Sequence, residues 1–160
     1  MAEGAIFTSK EIAFLHELDK QGVEFMIVGL AAAALQGAPV VTQDIDLWFR
    51  DLSDARIGKA LKKVGGVFVA PIGDNPPMFA GKSVELFDIV LTMHGLGGFV
   101  DEIKNTVIIS LGKVKIKALK LERIIKSKEY LHRKKDELVL PVLKDVLKTL
   151  DAVEARKRKR

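Results

Sequence analysis

The chain has 160 residues, 48% of them hydrophobic and 29% charged, with no cysteine, three histidines and a formal net charge of +5. That balance suits one globular domain with a sizeable core, and it excludes a disulfide framework, a thiol nucleophile and a zinc-thiolate centre. Any metal would have to be held mainly by carboxylates. No run approaches the roughly 18 uncharged apolar residues that span a bilayer, and the opening MAEGAIFTSKEIAF lacks the basic start of a signal peptide, so a cytoplasmic protein is expected with no membrane partner. The charge is polarised: residues 117–160 hold 15 Lys and Arg against 7 Asp and Glu, leaving 11 against 14 in the rest. An acidic body suits cations, and a basic third suits an anionic partner or is simply a solvated helical face.

Thr8-Ser9-Lys10-Glu11 has capping-box spacing, and Ile12, Phe14, Leu15 and Leu18 recur at helical intervals, predicting a helix from about Ser9 to Gln21. Phe25 to Val28 reads as a strand buried on both faces, ended by Gly29. Leu30 to Gln36 makes a short alanine-rich helix, closed by Gly37 and Pro39. Thr42 to Phe49 is a second strand, whose period of two puts Asp44, Asp46 and Trp48 on one face. Ser53 to Val64 is an amphipathic helix and Val67 to Ala70 a short strand. Pro71 to Gly81 reads as a loop with a brief extended piece; within it GDNPPMFAGK is either a lid or a plain connection. Val84 to Leu91 is a strand interrupted by Asp88.

Thr92 to Gly98 is a loop and Phe99 to Lys104 a helical turn. Val107–Ser110 and Lys113–Ile116 form a hairpin about Leu111-Gly112. The remainder is helical, Leu119 to about Leu131 and then from Lys135 or Leu140 onward, with Pro141 tolerable in a first turn or at a kink. Arg156 to Arg160 reads as a frayed basic tail. The expected fold is α/β (α+β): a small mixed sheet flanked by helices, one domain over 1–160 whose basic helical part is 117–160.

Two carboxylates at i and i+2, with a third on a later strand, are the donor set that Mg²⁺ or Mn²⁺ prefers, because hard ions keep waters and recruit substrate phosphates. A glycine between a buried strand and a helix lets phosphate approach the helix N-terminal amides. The ordered set Gly29 in VGLAAAAL, Thr42, Asp44 and Asp46 in TQDIDL, and Asp88 in ELFDIVL resembles the DNA polymerase beta-like nucleotidyltransferase superfamily. It is most similar there to the small proteins related to nucleotidyltransferase toxins of abortive-infection toxin-antitoxin pairs. KSKEYLHRKKDE, carrying Lys126, Arg133, Lys135 and Asp136, is similar to the K…R-x-K-D stretch of that branch.

The resemblance implies an enzyme that moves a nucleoside monophosphate from an NTP to a hydroxyl on a protein or RNA, with an antitoxin as possible partner. Asp44, Asp46 and Asp88 would be catalytic and ligate the metal ions, Asp88 also receiving the acceptor's proton. Gly29, with Leu30 next to it, would begin the phosphate-binding turn, Thr42 would stabilise the metal-site strand or touch phosphate, and Lys126, Arg133 or Lys135 would neutralise the triphosphate or the acceptor. The chain departs from the pattern at Leu30, where the family has Gly or Ser, and at Val40, where the toxin branch often has a basic residue. The alternative is therefore a catalytically weak nucleotide-binding or protein-interaction module of the same fold; a DNA-binding protein is argued only by the C-terminal charge. His94, in a loop after Asp88, either reaches substrate or is a surface histidine. Trp48 either stacks on a base or serves the core. Tyr130 is the one aromatic among the basic helices, which argues against a single-strand stacking platform.

Overall fold

The computed structural model describes residues 7–159; the readings placed on residues 1–6 and on Arg160 lie outside the described residues. The elements, in chain order, are α1 (Ser9–Lys20), β1 (Phe25–Val28), α2 (Gly29–Leu35), β2 (Ile45–Phe49), α3 (Ala55–Lys63), β3 (Val67–Val69), β4 (Met78–Ala80) and β5 (Phe87–Val90). They continue through α4 (Phe99–Glu102), a 3-10 turn over Ile103–Asn105, β6 (Thr106–Leu111), β7 (Val114–Leu119), α5 (Leu121–Leu131) and α6 (Lys134–Arg158).

Five strands form one mixed sheet in the order β5-β2-β1-β7-β6, and β3 pairs with β4 in a second, two-stranded sheet. β1 lies at the centre, antiparallel to β2 and parallel to β7, and its four residues are all buried, as the continuous apolar run FMIV predicts. β2 and β5 are parallel with Asp46 directly opposite Asp88.

Strand alternation decides which face carries chemistry. On β5, Phe87 meets Phe14 of α1 edge-on at 5.1 Å, and on β2, Phe49 meets Phe79 at 6.0 Å. Their neighbours of opposite parity, Asp88 on β5 and Asp46 and Trp48 on β2, therefore face away from α1, toward α2 and α5. Trp48 is buried and packs edge-to-face on Phe99 at 5.7 Å, so it is a core residue rather than a base platform. Among the described residues many large side chains, Phe14, Ile27, Leu47 and Ile124 among them, are essentially without solvent contact. Each contributes roughly 1.5–3 kcal/mol relative to exposure.

Several boundaries differ from the sequence expectation for physical reasons. β2 begins at Ile45 rather than Thr42, because the Thr42 hydroxyl donates to the Asp44 carbonyl at 3.1 Å and accepts the Asp44 amide at 3.3 Å, folding 42–44 into a turn. β5 begins at Phe87, since Val84 and Phe87 donate to Gly81 and Val84 carbonyls and hold the preceding residues in turns. The brief extended piece expected within Pro71–Gly81 is a paired strand: Phe79 is buried, and Met78–Ala80 pairs with β3. The hairpin turn is Gly112-Lys113, with Gly112 at φ +63° and Leu111 paired to Val114, one residue later than expected. Leu119 closes β7 instead of opening a helix. α6 runs through Pro141 and on to Arg158, covering most of the tail expected to fray. No helix among the described residues is long and apolar enough to cross a membrane.

Candidate active-site cleft

The site-bearing face is built from three local devices. The first is the β1–α2 turn. Val28 pairs with Asp46 across the sheet, so the next residue lies against the Asp46 side chain. Gly29 there has φ +68°, and a Cβ built on it would overlap Asp46 Oδ2. Glycine is required twice, by backbone conformation and by contact. The short helix α2 is then tied to the far side of the molecule by Gln36. Its amide nitrogen donates to the carbonyls of Ala32 at 3.0 Å and Leu119 at 2.8 Å, and its oxygen accepts the Leu121 amide at 3.0 Å.

The second device is the pair of parallel strands that sets Asp46 beside Asp88, with Asp44 two residues earlier on the Thr42 turn. Burial, then Asp88, then Asp44 push the Asp46 carboxyl up to about 6, against the opposing pull of Lys128 and Lys135. Asp88 is raised as well, by burial first and by Asp44 second.

The third is the elbow between α5 and α6. α5 ends on His132 in the left-handed conformation at φ 51°, and α6 begins at once. Asp136, fully buried, accepts the Arg133 amide at 3.1 Å, Arg133 Nε at 2.7 Å and Lys128 Nζ at 3.3 Å. These donors hold its carboxyl down at about 2, the Arg133 side chain being the largest cause. One buried anion thus fastens a lysine of α5 and the arginine that caps α6.

These devices meet around a cleft of about 320 Å³. Gly29, Leu30, Thr42 and all three aspartates line one side; Lys128, Arg133 and Lys135 line the other. A smaller cavity of about 160 Å³ opens from the same place, sharing Gly29, Asp46, Lys128 and Arg133. Of the residues that the resemblance gave a metal or nucleotide role, all line the cleft except Lys126, which is exposed on another side of α5. Lys128 takes the place in the cleft that the sequence reading gave to Lys126. Helical spacing is the signal that finds it: Lys128 lies four residues after the buried Ile124. Gln36 was legible only as a helix end.

The donor set fits a hard divalent cation. Burial raises both Asp46 and Asp88, the charges of Asp88 and Asp44 add to the first shift and that of Asp44 to the second, and a cation relieves that repulsion. Among the described residues, no three His, Cys, Asp or Glu side chains close around a single ion. Mg²⁺ is ordinarily bound by one or two carboxylates plus waters and phosphates, so an open arrangement is compatible with it.

No protein-family model matches the sequence, and no curated protein matches it. Solved structures do. The crystal structure of ANT(2'')-Ia in complex with adenylyl-2''-tobramycin is 14% identical, with a TM-score of 0.57 over 93% of this chain and 95% of that one. The solution structure of the same antibiotic-resistance factor is 14% identical, with a TM-score of 0.61 over 95% and 91%. An antigenic nucleotidyltransferase-like protein from Paracoccidioides brasiliensis is 17% identical, with a TM-score of 0.56 over 84% and 74%. At these identities the likeness establishes architecture: the chain has the nucleotidyltransferase fold, as the order of its glycine turn and aspartates led us to expect.

Proposed function

We propose that the protein is a divalent-metal-dependent nucleotidyltransferase that moves a nucleoside monophosphate from an NTP to a hydroxyl on a protein or RNA. The observation that carries this reading is the register of Asp46 against Asp88 beside Gly29, facing Lys128, Arg133 and Lys135 across one cleft. The adenylylated antibiotic named with ANT(2'')-Ia is the kind of product such a transfer makes. Kinship with the toxin-like branch, and an antitoxin partner, rest on the R-x-K-D segment from Arg133 to Asp136 and belong to the same proposal.

Asp44, Asp46 and Asp88 would hold Mg²⁺ or Mn²⁺. The ion supplies charge stabilisation for an in-line phosphoryl displacement. The acceptor oxygen forms a bond to the α-phosphorus, the bond from that phosphorus to the bridging oxygen breaks, and pyrophosphate leaves. The acceptor's proton passes to Asp88, which is exposed and lines the open cleft. Lys128, Arg133 and Lys135 bind the triphosphate, and Asp136 keeps the first two in place. Gly29 leaves room for the Asp46 carboxylate at the turn into α2, beside the cleft that the triphosphate would occupy.

The test is incubation with each α-labelled NTP and Mg²⁺ or Mn²⁺, following pyrophosphate and label on protein or RNA. Asp46→Asn abolishes transfer if the reading is correct; equal labelling by that variant overturns it. A second reading, a weak or inactive module of the same fold, draws on one observation: Leu30 lines the cleft with a branched apolar side chain. Under it Leu30→Ser raises transfer from the background.

A further inference from the structure

The five-stranded sheet ends in two unlike edges. β5 is four residues long and carries Asp88, and short or charged edge strands resist pairing with another chain. β6 is six residues long, TVIISL, with no charge, no proline and no bulge in its register against β7. Lysines, prolines and bulges are the usual protections of an exposed edge, and this strand has none of them. The nearest lysines on that face, Lys115 and Lys117, sit one strand inward on β7.

Alternation along an antiparallel ladder settles which backbone groups the edge offers. The Lys120 amide donates to the Asn105 carbonyl at 2.9 Å, one step before the ladder begins at Thr106 and Leu119. At its other end Leu111 and Val114 flank the two-residue turn, a hydrogen-bonded position. The odd-numbered residues of β6 therefore bond to β7, and the N–H and C=O groups of Thr106, Ile108 and Ser110 point away from it. Among the described residues, these groups bond to no other backbone segment. At their centre the Ile108 side chain is 68% exposed.

We propose that β6 pairs antiparallel with β6 of a second copy of the chain, about a two-fold axis through Ile108, joining two sheets edge to edge. What favours a second copy over an unrelated partner is that the strand is complementary to itself. Thr106 falls opposite Ser110 of the partner subunit, Val107 opposite Ile109 of the partner subunit, and Ile108 opposite its own counterpart. Hydroxyl meets hydroxyl and β-branched side chain meets β-branched side chain, pairings that stabilise antiparallel ladders. The Thr106 hydroxyl donates to the Ile103 carbonyl at 2.8 Å and keeps lone pairs for the hydroxyl across the axis. Val107 and Ile109, packed only partly against the core, gain cover. The neighbouring register, centred on Ile109, sets Ile108 against Ser110 and Thr106 against Gly112, and loses both matches.

Charge permits the pairing as well. Lys117 lies beside Ile108 on β7, so its two copies stand three strand spacings apart. That is about 14 Å, beyond the roughly 8 Å screening length at physiological salt. Three outward residues exchanging N–H and C=O across the axis give about six hydrogen bonds, a small interface and hence a dimer that dissociates on dilution. β6 and β5 are opposite edges of the sheet, so both clefts stay open at the outer ends of the joined sheet. The pairing does not depend on the proposed transfer.

Sedimentation equilibrium of the full chain, from micromolar to near-millimolar concentration, tests the proposal. Wild type passes from monomer to dimer over that range. Ile108→Lys sets two ammonium-bearing residues opposite each other, about 5.5 Å apart at the backbone, and weakens association by about tenfold or more. Ser110→Pro removes an outward N–H without touching the β7 ladder, and serves if Ile108→Lys melts early. Ile108→Cys supplies the one cysteine of the chain, and a short bis-maleimide joins it to its counterpart, whereas Lys113→Cys at the hairpin turn stays unlinked. A monomer at every concentration overturns the proposal. So does a dimer that both strand variants leave unchanged, or one in which Lys113→Cys links as readily as Ile108→Cys, since another surface then holds it. A monomer whose Ile108 and Ser110 amides resist hydrogen exchange overturns it too, because the chain then covers its own edge.

Discussion

Gly29 and Asp46 constrain each other more tightly than any other pair in the cleft. Gly29→Ala places a side chain in the left-handed region, at roughly 1–2 kcal/mol, and adds an overlap with the Asp46 carboxylate. A melting temperature lower by several degrees is expected. Gly29→Ala/Asp46→Ala recovers the steric part and leaves the backbone part, so a double variant as unstable as the single one would show that the overlap is relieved some other way. Asp46 itself is costly when ionised. Its folded value of about 6 lies above the ordinary 3.8, so the folded state holds a proton that the unfolded chain has lost, and stability falls as pH rises through that window. Asp46→Asn therefore stabilises the cation-free protein by ~1–2 kcal/mol at pH 7.5 and by little at pH 4, read from denaturant midpoints at the two pH values. Asp136 has the opposite sign. Its folded value of about 2 lies below 3.8, so its contribution is complete above pH 4 and disappears as pH falls toward 2. With allowance for the half-exposed Arg133 partner, that amounts to ~1–2 kcal/mol. Wild type shows this extra acid sensitivity and Asp136→Asn lacks it.

Helix α6 shows how a strong local rule is overridden by packing. Pro141 sits eight residues into a 25-residue helix, and its missing N–H leaves the Glu137 carbonyl without its helical donor. The position is solvent-exposed, so water satisfies that carbonyl, while Asp136, Leu140 and Leu143 bury the other side. Pro141→Ala restores the bond, and a gain of about 1–3 kcal/mol is expected from chemical denaturation. Similar overrides explain what was and was not legible beforehand. The elements with uninterrupted periodicity, α1, β1 and α3, were readable within a residue or two because their own side chains specify one buried face. The starts of β2 and β5 were not, because side-chain and backbone hydrogen bonds at Thr42, Val84 and Phe87 take those residues out of the ladder. β4 was half-hidden, since three residues after two prolines become a strand only when Phe79 has a core to enter. In the cleft the aspartates and Gly29 were legible from order alone. Which of Lys126 and Lys128 lines the cleft was not legible, because choosing between lysines two apart on a helix requires knowing which face is buried.

Charge polarity bears on which acceptor the proposed transfer uses. From Lys148 onward every described residue of α6 is exposed, and residues 148–160 hold six Lys and Arg against two acids. A segment with no buried side chain adds little to folding, so truncation after Leu147 shifts the melting temperature by no more than about 2 °C. Its removal takes four net positive charges from the end of the chain opposite in sign to the acidic body. If the acceptor is RNA, that loss acts through counterion release. The slope of log affinity against log salt then becomes shallower by up to about 3, while NTP affinity in the cleft is unchanged. A protein acceptor recognised by its surface has no condensed counterions to release, and its weaker salt dependence responds little to the truncation. Measuring acceptor transfer at several salt concentrations, with and without residues 148–160, therefore separates the two acceptor classes. A truncated protein that loses NTP binding along with the slope would place the arm in the cleft's own function and defeat the division between body and arm drawn from the charge distribution.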